Sequence, residues 1–317
     1  MRAVVLPAFH APLELEERPV PTAADGQVLV KVLACGVCHS DLHVVEGYFS
    51  ASPLPLVLGH EIAGELESGE RVLVYTPWGC GTCRFCQATE EMICPDGHEA
   101  GMLQDGGYAE YILVPAQRFI YPIGDLDPVS AAPLGCGGLT AFRGVKHALP
   151  WLRKGARALV LGAGGLGQFG IQYVRMLSDA GVVAGDPSGH KRERALELGA
   201  ESAADPADLE GPFEVVLDFV GSDESLARAA QLVDRKGVCV VLGLFGGTIP
   251  FGLGAVPHEA HFLSSIWGSR DQLAELIALA QREELEYTID AMPLEQAQAA
   301  HDRLRAGEAR GRIVLVP

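Results

Sequence analysis

The densest chemical signal in the sequence is a group of four cysteines within fifteen residues. They follow the pattern C-x-x-C-x-x-C, with a fourth cysteine shortly after, and are Cys80, Cys83, Cys86 and Cys94. Four thiolates at this spacing complete the tetrahedral shell of a zinc ion. Because four sulfurs leave no open position, the pattern predicts a structural zinc that pins a loop with little core of its own. An iron–sulfur cluster is the rival interpretation, and disulfides are a weaker third one.

Three further residues of metal-ligand type lie far apart in the sequence. Cys38 lies in the segment CGVCHSDLH, His60 in GHE and Cys136 in LGCGG. Spacing alone does not bring such distant residues to one ion. Taken by themselves, Cys35 and Cys38 also fit a redox C-x-x-C pair. His60 equally fits a hydrogen-bonded loop histidine, and Cys136 fits a small buried apolar side chain.

A glycine-rich turn near the middle of the chain predicts a dinucleotide site. The segment G-A-G-G-L-G at 162–167 follows an apolar strand at 158–161 and precedes a helical pattern. Glycines let the backbone approach a pyrophosphate, and the helix N-terminus supplies N–H donors. The alternative interpretation is a tight strand-to-helix turn and nothing more. The predicted cofactor contacts in this region are Gly162, Gly164, Gly165, Leu166, Gly167, Asp186 and Lys191.

Asp186 carries the prediction about which nicotinamide cofactor binds. It follows the last glycine by nineteen residues and comes at the end of the second predicted strand. A carboxylate there accepts hydrogen bonds from ribose hydroxyls and repels a 2′-phosphate, so NAD is preferred over NADP. Lys191 and Arg192 lie just beyond and soften that preference. A surface aspartate without such a role is the alternative.

The order of predicted elements indicates two kinds of domain. The first third reads as short strands broken by Gly and Pro, which indicates an irregular β domain with loops. From about residue 155, strands and helices alternate, which is typical of a parallel, doubly wound sheet. The clearest predicted strands are 28–33, 71–74, 108–114, 158–161, 182–185, 215–218, 238–242 and 313–316. The predicted helices are 165–177, 190–198, 224–233, 270–282 and 294–305.

Composition and charge exclude several classes of partner. The chain has 317 residues, 48% of them hydrophobic and 21% charged, which is enough for two globular domains. The formal net charge of −17 disfavours nucleic acid, including binding by a zinc-ribbon module, and anionic membranes. No apolar run is long enough to span a membrane. With eight cysteines and no recognisable signal peptide, we expect a cytoplasmic protein in a reducing compartment.

The chain as a whole resembles the zinc-containing medium-chain alcohol dehydrogenases. Besides the four-cysteine segment, the matching stretches are CGVCHSDLH (35–43), GHEIAGE (59–65), GGYAEYILV (106–114), GCGGLTAFRGV (135–145), LGAGGLGQFGIQYV (161–174) and GRIVLVP (311–317). The resemblance implies a GroES-like irregular β-barrel catalytic domain, residues 1–135 and 268–317. It also implies a Rossmann, NAD-binding domain of doubly wound parallel sheet, residues 136–267.

The same resemblance implies the reaction and the metal ligands. The reaction is reversible hydride transfer between a primary or secondary alcohol and NAD, with two zinc ions per subunit, one catalytic and one structural. Cys38, His60 and Cys136 become the catalytic ligands, while Cys35 and Cys239 are not ligands. Two cysteines and one histidine leave a fourth zinc position open for the substrate oxygen.

Further roles follow from the resemblance at single positions. Asp41 orients His60, and Glu61 approaches the zinc during ligand exchange. Ser40 accepts the proton of the alcohol, and His43 carries it towards solvent. The resemblance also places His39 and Arg312 at the cofactor, and it places Trp78 and Tyr48, with Phe49 beside them, in the substrate pocket.

Three other functions fit parts of the sequence. A zinc-independent quinone or enoyl reductase shares the fold but needs neither the four cysteines nor the three separated ligands. A polyol or sorbitol-like dehydrogenase is similar, but its third zinc ligand is commonly a glutamate, where this chain has Cys136. A non-catalytic zinc- and nucleotide-binding scaffold would not need Ser40 and His43 beside Cys38.

Two segments are shorter than the family's pattern, and one segment is expected to join subunits. The connections at 64–71 and 205–213 are abbreviated, which puts the local β-barrel geometry and subunit contacts in doubt. Relatives form dimers or tetramers, commonly by joining cofactor-domain sheets at their edges. We expect a homodimer or homotetramer, with 238–250 as the edge.

Overall fold

The computed structural model describes residues 1–317, which divide into two units. The first unit is Met1–Cys136 together with Gly268–Pro317, and the second is Gly137–Trp267. The chain therefore leaves the first unit once and returns to it. Cys136, which the resemblance put at the start of the second domain, is the last residue of the first unit before the chain enters the second.

The first unit is built around the strand Val28–Val37, which pairs with three other strands. Its alternate side chains are largely apolar, and residues such as Val30, Ala34 and Cys35 are fully buried. The strands of this seven-stranded sheet run, along its main path, Ile120–Pro122, Arg71–Val74, Glu61–Glu65, Val28–Val37, Arg312–Val316 and Ile289–Pro293, with Tyr111–Val114 also pairing with Val28–Val37. A mixed, irregular β domain was predicted for this region.

Two small sheets and short helices complete the first unit. The sheets are Glu14–Glu17, Arg2–Leu6 and Leu56–Val57 in spatial order, and Pro77–Trp78 with His98–Glu99. The α-helices are His39–Val45, Arg84–Gln87, Pro128–Ala131, Arg270–Ala280 and Ala297–Arg305. The 3₁₀ helices are Glu91–Ile93, Gln117–Phe119, Ala132–Gly135 and Leu294–Gln296. The helix at 270 begins where it does because the Ser269 side chain caps it, accepting from the backbone N–H of Gln272.

The shortened connection near residue 66 is a closed antiparallel hairpin. It joins the strands Glu61–Glu65 and Arg71–Val74, and Leu66 N–H donates to the Glu70 carbonyl at 2.9 Å. Both strands keep their outer partners in the sheet. The short connection therefore leaves the pairing of the strands intact. A shorter loop also loses less conformational entropy on folding.

The second unit is a six-stranded sheet in which every adjacent pair is parallel. Its spatial order is Ser202–Ala204, Gly181–Gly185, Arg157–Leu161, Phe213–Asp218, Val233–Val241 and His261–Ser264. In chain order this is the 3-2-1-4-5-6 arrangement of dinucleotide-binding sheets, so the predicted doubly wound fold is confirmed. Cys239 lies in the apolar core of this unit beside Leu159 and Phe213 and has no metal-ligand residue around it in that cluster.

The helices of the second unit match the predicted ones with one addition. They are Gly137–Ala148, Gly167–Leu177, Gly189–Glu197 and Asp223–Leu232, with a 3₁₀ helix at Pro206–Asp208. The sequence predicts no helix over 137–148, because two glycines begin it and glycine disfavours helix. Nine of its twelve residues are buried, so packing stabilises the helix in spite of that propensity.

The predicted edge of this sheet is wrong. The strand Val233–Val241 pairs on both sides, and residues 242–250 form no strand. The edge is His261–Ser264 instead, which pairs only with Val233–Val241. The error arose because the edge strand is polar at both ends and carries no strong alternation of apolar residues.

No helix of the chain combines the length and the apolar character that crossing a bilayer requires.

Candidate active site and metal centres

Cys38 and His60 are held at the adjoining ends of two neighbouring strands. Cys38 is the residue between the strand Val28–Val37 and the helix His39–Val45. His60 directly precedes the strand Glu61–Glu65, which pairs antiparallel with the first strand. The end of one strand therefore meets the start of the other, and both side chains come to the same edge of the sheet.

Cys136 reaches the same place from a third element. It directly follows the 3₁₀ helix Ala132–Gly135. One ligand atom from each of Cys38, His60, Glu61 and Cys136 can be chosen such that all lie within 4.8 Å of one another, and all four residues are buried. Atoms this close can contact a single ion, so the structure brings together three residues that their spacing leaves unconnected.

The donor set and its protonation fit a zinc ion. A hydrogen bond from Cys136 holds the pKa of the Cys38 thiol well below its usual value, and the same bond raises the pKa of Cys136. A metal binds cysteine as the thiolate, so a lowered thiol pKa at Cys38 favours metal binding there. Two thiolates and an imidazole are ligands that zinc prefers, and they leave one coordination position open.

Asp41 contacts two of these ligand residues through its two carboxylate oxygens. Oδ1 lies 3.1 Å from Nδ1 of His60, and Oδ2 accepts the backbone N–H of Cys38 at 2.8 Å. Burial lowers the pKa of His60, but Asp41 and Cys38 outweigh it, so the pKa is raised well above its usual value. A hydrogen on Nδ1 leaves Nε2 as the ring atom that can bind a metal. This is the orienting role expected for Asp41.

Glu61 and Arg312 form a buried ion pair beside the ligands. Arg312 Nη2 donates to Glu61 Oε1, and the two side chains are 5% and 0% exposed. Burial raises the pKa of Glu61 to about 7, although Arg312 and His60 act in the opposite direction. Gly36 makes the close approach possible, because a Cβ there would lie 2.0 Å from Glu61 Oε2. Arg312, which the resemblance placed at the cofactor, lies against Glu61 in the structure.

The remaining residues expected around the catalytic site lie on or near the helix that Cys38 starts. The Ser40 hydroxyl lies 3.8 Å from Cys38 Sγ. His43 is 8% exposed, and its ring lies 5.0 Å from that of Tyr48, which is 67% exposed. His39 is exposed on the first turn. Ser40 is thus close to a metal-ligand residue, while the nearly buried His43 lies beside an exposed tyrosine, and the proton path between them stays a prediction.

Trp78 is nearly buried and its position is fixed by neighbours. Its Nε1–H donates to the Tyr75 carbonyl at 2.9 Å, and its ring packs 6.5 Å from that of Phe119. It lines a cavity of about 650 Å³ together with Arg118 and residues of the strand Tyr111–Val114. None of the residues expected at the catalytic site lines this cavity, so the contacts support a loop-anchoring role and the substrate-pocket role of Trp78 stays a prediction.

The four clustered cysteines have the geometry of a single-ion site. The sulfur–sulfur distances are 3.5 Å for Cys83–Cys86, 3.7 Å for Cys83–Cys94 and 3.9 Å for Cys80–Cys86. A tetrahedron with Zn–S bonds of about 2.3 Å has edges of about 3.8 Å. All four thiols are free, so the disulfide interpretation is wrong.

The glycine-rich loop has the tight turn that its sequence predicts. A Cβ at Gly167 would lie 1.9 Å from the Gly162 carbonyl oxygen, so a larger residue does not fit there. Asp186 is 3% exposed, and its two carboxylate oxygens accept the backbone N–H groups of Ala163 and Ser188, both at 2.9 Å. The predicted ribose-binding carboxylate is therefore fastened to the glycine loop.

Two contacts near the metal sites have no signal in the sequence. Glu91 is 1% exposed and accepts from Arg270 Nε at 2.6 Å. This ion pair connects the cysteine lobe, residues 80–94, to the helix that begins at residue 270. Tyr108 contacts both Asp41 and His301 through its hydroxyl. Tyr108 lies within a family-like segment, but nothing in the pattern of the last helix distinguishes His301.

The mixed-β unit carries two groups of candidate metal ligands, and the chain also contains a parallel sheet of the dinucleotide-binding type. This combination is typical of a zinc-binding dehydrogenase. Two family models agree with this class. One described as "Alcohol dehydrogenase GroES-like domain" matches residues 24–125, and one described as "Zinc-binding dehydrogenase" matches residues 198–315.

Whole-chain comparisons define the family. An NAD-dependent alcohol dehydrogenase of Sulfurisphaera tokodaii is 34% identical, with 100% of both chains covered. The crystal structure of the alcohol dehydrogenase from Aeropyrum pernix superposes with a TM-score of 0.93 at 31% identity, again over 100% of both chains. A D-arabinose 1-dehydrogenase (NADP(+)) of Saccharolobus solfataricus is 30% identical over 100% of this chain and 97% of its own. This chain belongs to the zinc-containing medium-chain alcohol dehydrogenase family, which confirms the resemblance.

Proposed function

We propose that this chain oxidises alcohols to carbonyl compounds, and catalyses the reverse reaction, with NAD and a catalytic zinc ion held by Cys38, His60 and Cys136. The observation that carries the proposal is the convergence of these side chains within 4.8 Å of one another, all buried. Relatives over the whole chain are named NAD-dependent alcohol dehydrogenases. The cysteine lobe holds a second, structural zinc ion.

Each residue of the proposed site has a separate role in the reaction. Zinc, when bound, supplies Lewis acidity for the alcohol oxygen, and NAD supplies the hydride acceptor. Ser40, beside Cys38, accepts the alcohol proton while it gives up its own hydroxyl proton, and His43 takes up the released proton and passes it to solvent past the exposed Tyr48. The Arg312 pair holds Glu61 next to the ligands, where its carboxylate assists ligand exchange.

The preferred cofactor is NAD. The buried Asp186 carboxylate stands where the sheet ends and the glycine loop begins, and a 2′-phosphate next to it would face a like charge. Lys191 and Arg192 follow on the next helix, but Arg192 Nη1 donates to the Asp186 and Pro187 carbonyls and is thereby engaged.

The first test combines an alcohol and aldehyde panel with metal analysis and the variant Cys38→Ser. We expect wild-type protein to form NADH with simple primary or secondary alcohols, and the variant to lose turnover while it still folds and binds NAD. Cys239→Ser is the matched control, since this buried cysteine lies in the apolar core of the other unit. Wild-type turnover in protein shown to be free of zinc would contradict the mechanism.

A sugar or polyol substrate is the second candidate. It is favoured by the 30% identity with D-arabinose 1-dehydrogenase. Turnover of pentoses or polyols in the same panel, without turnover of simple alcohols, would select it over the first candidate.

The chain is also proposed to form a homodimer or homotetramer through its second unit. The edge strand His261–Ser264 leaves one row of backbone groups without a strand partner, and exposed apolar side chains stand near it. Phe251 is 74% exposed and packs against Phe262 of the edge strand, with ring centroids 6.2 Å apart. A second copy of the chain bound along this edge would pair with the free backbone groups and cover the exposed apolar side chains.

A further inference from the structure

Behind the candidate metal site lies a row of four buried polar side chains. His60, Asp41 and Tyr108 are 0% exposed and His301 is 1% exposed. Asp41 Oδ1 lies 3.1 Å from His60 Nδ1, Tyr108 Oη lies 3.0 Å from Asp41 Oδ2, and His301 Nε2 lies 3.2 Å from Tyr108 Oη. The row therefore leads from the helix Ala297–Arg305 to a metal-ligand histidine.

The number of available protons sets the direction of these hydrogen bonds. A carboxylate only accepts, so the single phenolic proton of Tyr108 goes to Asp41 Oδ2. Tyr108 Oη is then an acceptor, and His301 donates to it from Nε2–H. On the other side, His60 donates from Nδ1 to Asp41 Oδ1. Every bond in the row points towards Asp41.

The Tyr108 ring is held in place by packing on two sides. A Cβ at Gly59, the residue before His60, would lie 2.4 Å from Tyr108 Cδ1, so the ring rests directly on the backbone of that loop. On the other side, the His301 ring meets it edge-on with centroids 5.8 Å apart. The phenol is therefore a fixed donor and not a mobile one.

We propose that Tyr108 and His301 are positioning residues for the catalytic metal, acting through the Asp41 carboxylate. The inference rests on the proposed metal site. Asp41 touches both the His60 ring and the backbone of Cys38, so a carboxylate that turns displaces two of the three ligands together. Tyr108 prevents that turn by holding Oδ2, and His301 aligns Tyr108 and keeps its proton directed at Asp41.

The test uses full-length, zinc-loaded protein and the variants Tyr108→Phe, His301→Leu and His301→Gln. Zinc transfer to an excess of a colorimetric chelator is followed by its absorbance, and the closed four-cysteine site is the internal reference. Removing a direct outer partner of a ligand typically costs 10–100-fold in metal affinity. Tyr108 and His301 lie further from the metal than a direct partner of a ligand. In Tyr108→Phe and His301→Leu we therefore expect zinc to leave the open site about threefold to tenfold faster, with no change at the four-cysteine site. His301→Gln, which keeps an N–H donor, should restore a rate close to that of wild type.

A second readout separates positioning from general loosening of the core. With Co²⁺ in the open site, the visible absorption bands report ligand geometry, and they should shift in Tyr108→Phe and His301→Leu. The matched control is Tyr75→Phe, a fully buried tyrosine whose hydroxyl donates to the Gly268 carbonyl at 2.8 Å, and it should leave both the bands and the release rate unchanged.

Three results would overturn the proposal. The first is release and spectra equal to wild type in both Tyr108→Phe and His301→Leu. The second is equal acceleration at both zinc sites, and the third is the same change in Tyr75→Phe. If Tyr108→Phe does not fold, the comparison of zinc release from His301→Leu and His301→Gln tests the positioning role by itself. Wild-type protein with no metal at residues 38, 60 and 136 would instead contradict the proposed function.

Discussion

The Asp186 carboxylate has a structural role in the glycine loop and a proposed role in selecting the cofactor. Its oxygens accept two backbone N–H groups, one from the glycine loop and one from the turn that follows the strand Gly181–Gly185. Each oxygen keeps a further lone pair for a ribose hydroxyl. In the proposed role, the negative charge of Asp186 discriminates against a 2′-phosphate, so the shape and the charge of the side chain can be separated by substitution.

The variant Asp186→Asn should narrow the preference for NAD over NADP. It keeps the size of the side chain and removes the charge, so the ratio of kcat/KM values should fall about 10- to 100-fold, which corresponds to about 1.4–2.8 kcal/mol. Steady-state kinetics with both cofactors measures this. Asp179→Asn is the control, since this exposed aspartate lies near the opposite end of the same strand. An unchanged ratio would remove Asp186 from the ribose contact.

Single-residue predictions from the sequence succeed where a local pattern carries them. The four cysteines are close in sequence, and their sulfurs lie 3.5–3.9 Å apart where distances are resolved. Cys38, His60 and Cys136 needed the family resemblance, because only the folded sheet brings them together. His301 carries no signal at all, since its contact with Tyr108 spans 193 residues of sequence.

At the scale of elements, strands and helices with a clear period could be predicted from the sequence. The strand Arg71–Val74 and the helices beginning at 189, 223 and 270 lie within two residues of their predicted positions. The helix Gly137–Ala148 could not be predicted from the sequence, because its two leading glycines oppose helix formation and burial is what stabilises it. The sheet edge at His261–Ser264 depends on strand order, which local patterns do not encode.

The edge strand leads to a prediction about assembly. Phe251 and Leu253 are 74% and 100% exposed, so changing them costs the isolated chain little. The double variant Phe251→Asp with Leu253→Asp places charges on the surface proposed to join two copies. We expect dissociation to smaller species in sedimentation or light scattering at micromolar concentration.

A matched surface change tests whether the location matters. Leu15→Asp alters an apolar residue that is 49% exposed on the strand Glu14–Glu17 of the first unit, and it should leave the assembly intact. A wild-type monomer, or equal dissociation by both sets of changes, would contradict the proposed edge.

At the scale of the whole molecule, both fold classes follow from the sequence, and the reason is physical. Strand-helix alternation favours a parallel sheet, and short strands between Gly and Pro favour an irregular β domain. The return of the chain to its first unit after residue 267 came from the resemblance. The chain also keeps the whole family plan with shortened connections: its alignment with the Sulfurisphaera protein covers 353 positions against 317 residues.

In the proposed enzyme, one chain carries two zinc ions of different kinds. Diffraction from crystals of the purified protein, recorded on both sides of the zinc absorption edge, tests it most directly. The account predicts two anomalous peaks per chain. One should lie about 2.3 Å from the sulfurs of Cys38 and Cys136 and about 2.0–2.1 Å from Nε2 of His60, with a solvent or substrate oxygen as fourth ligand. The other should lie about 2.3 Å from all four sulfurs of the cysteine lobe. A map with no peak between Cys38, His60 and Cys136 in catalytically active crystals would contradict it.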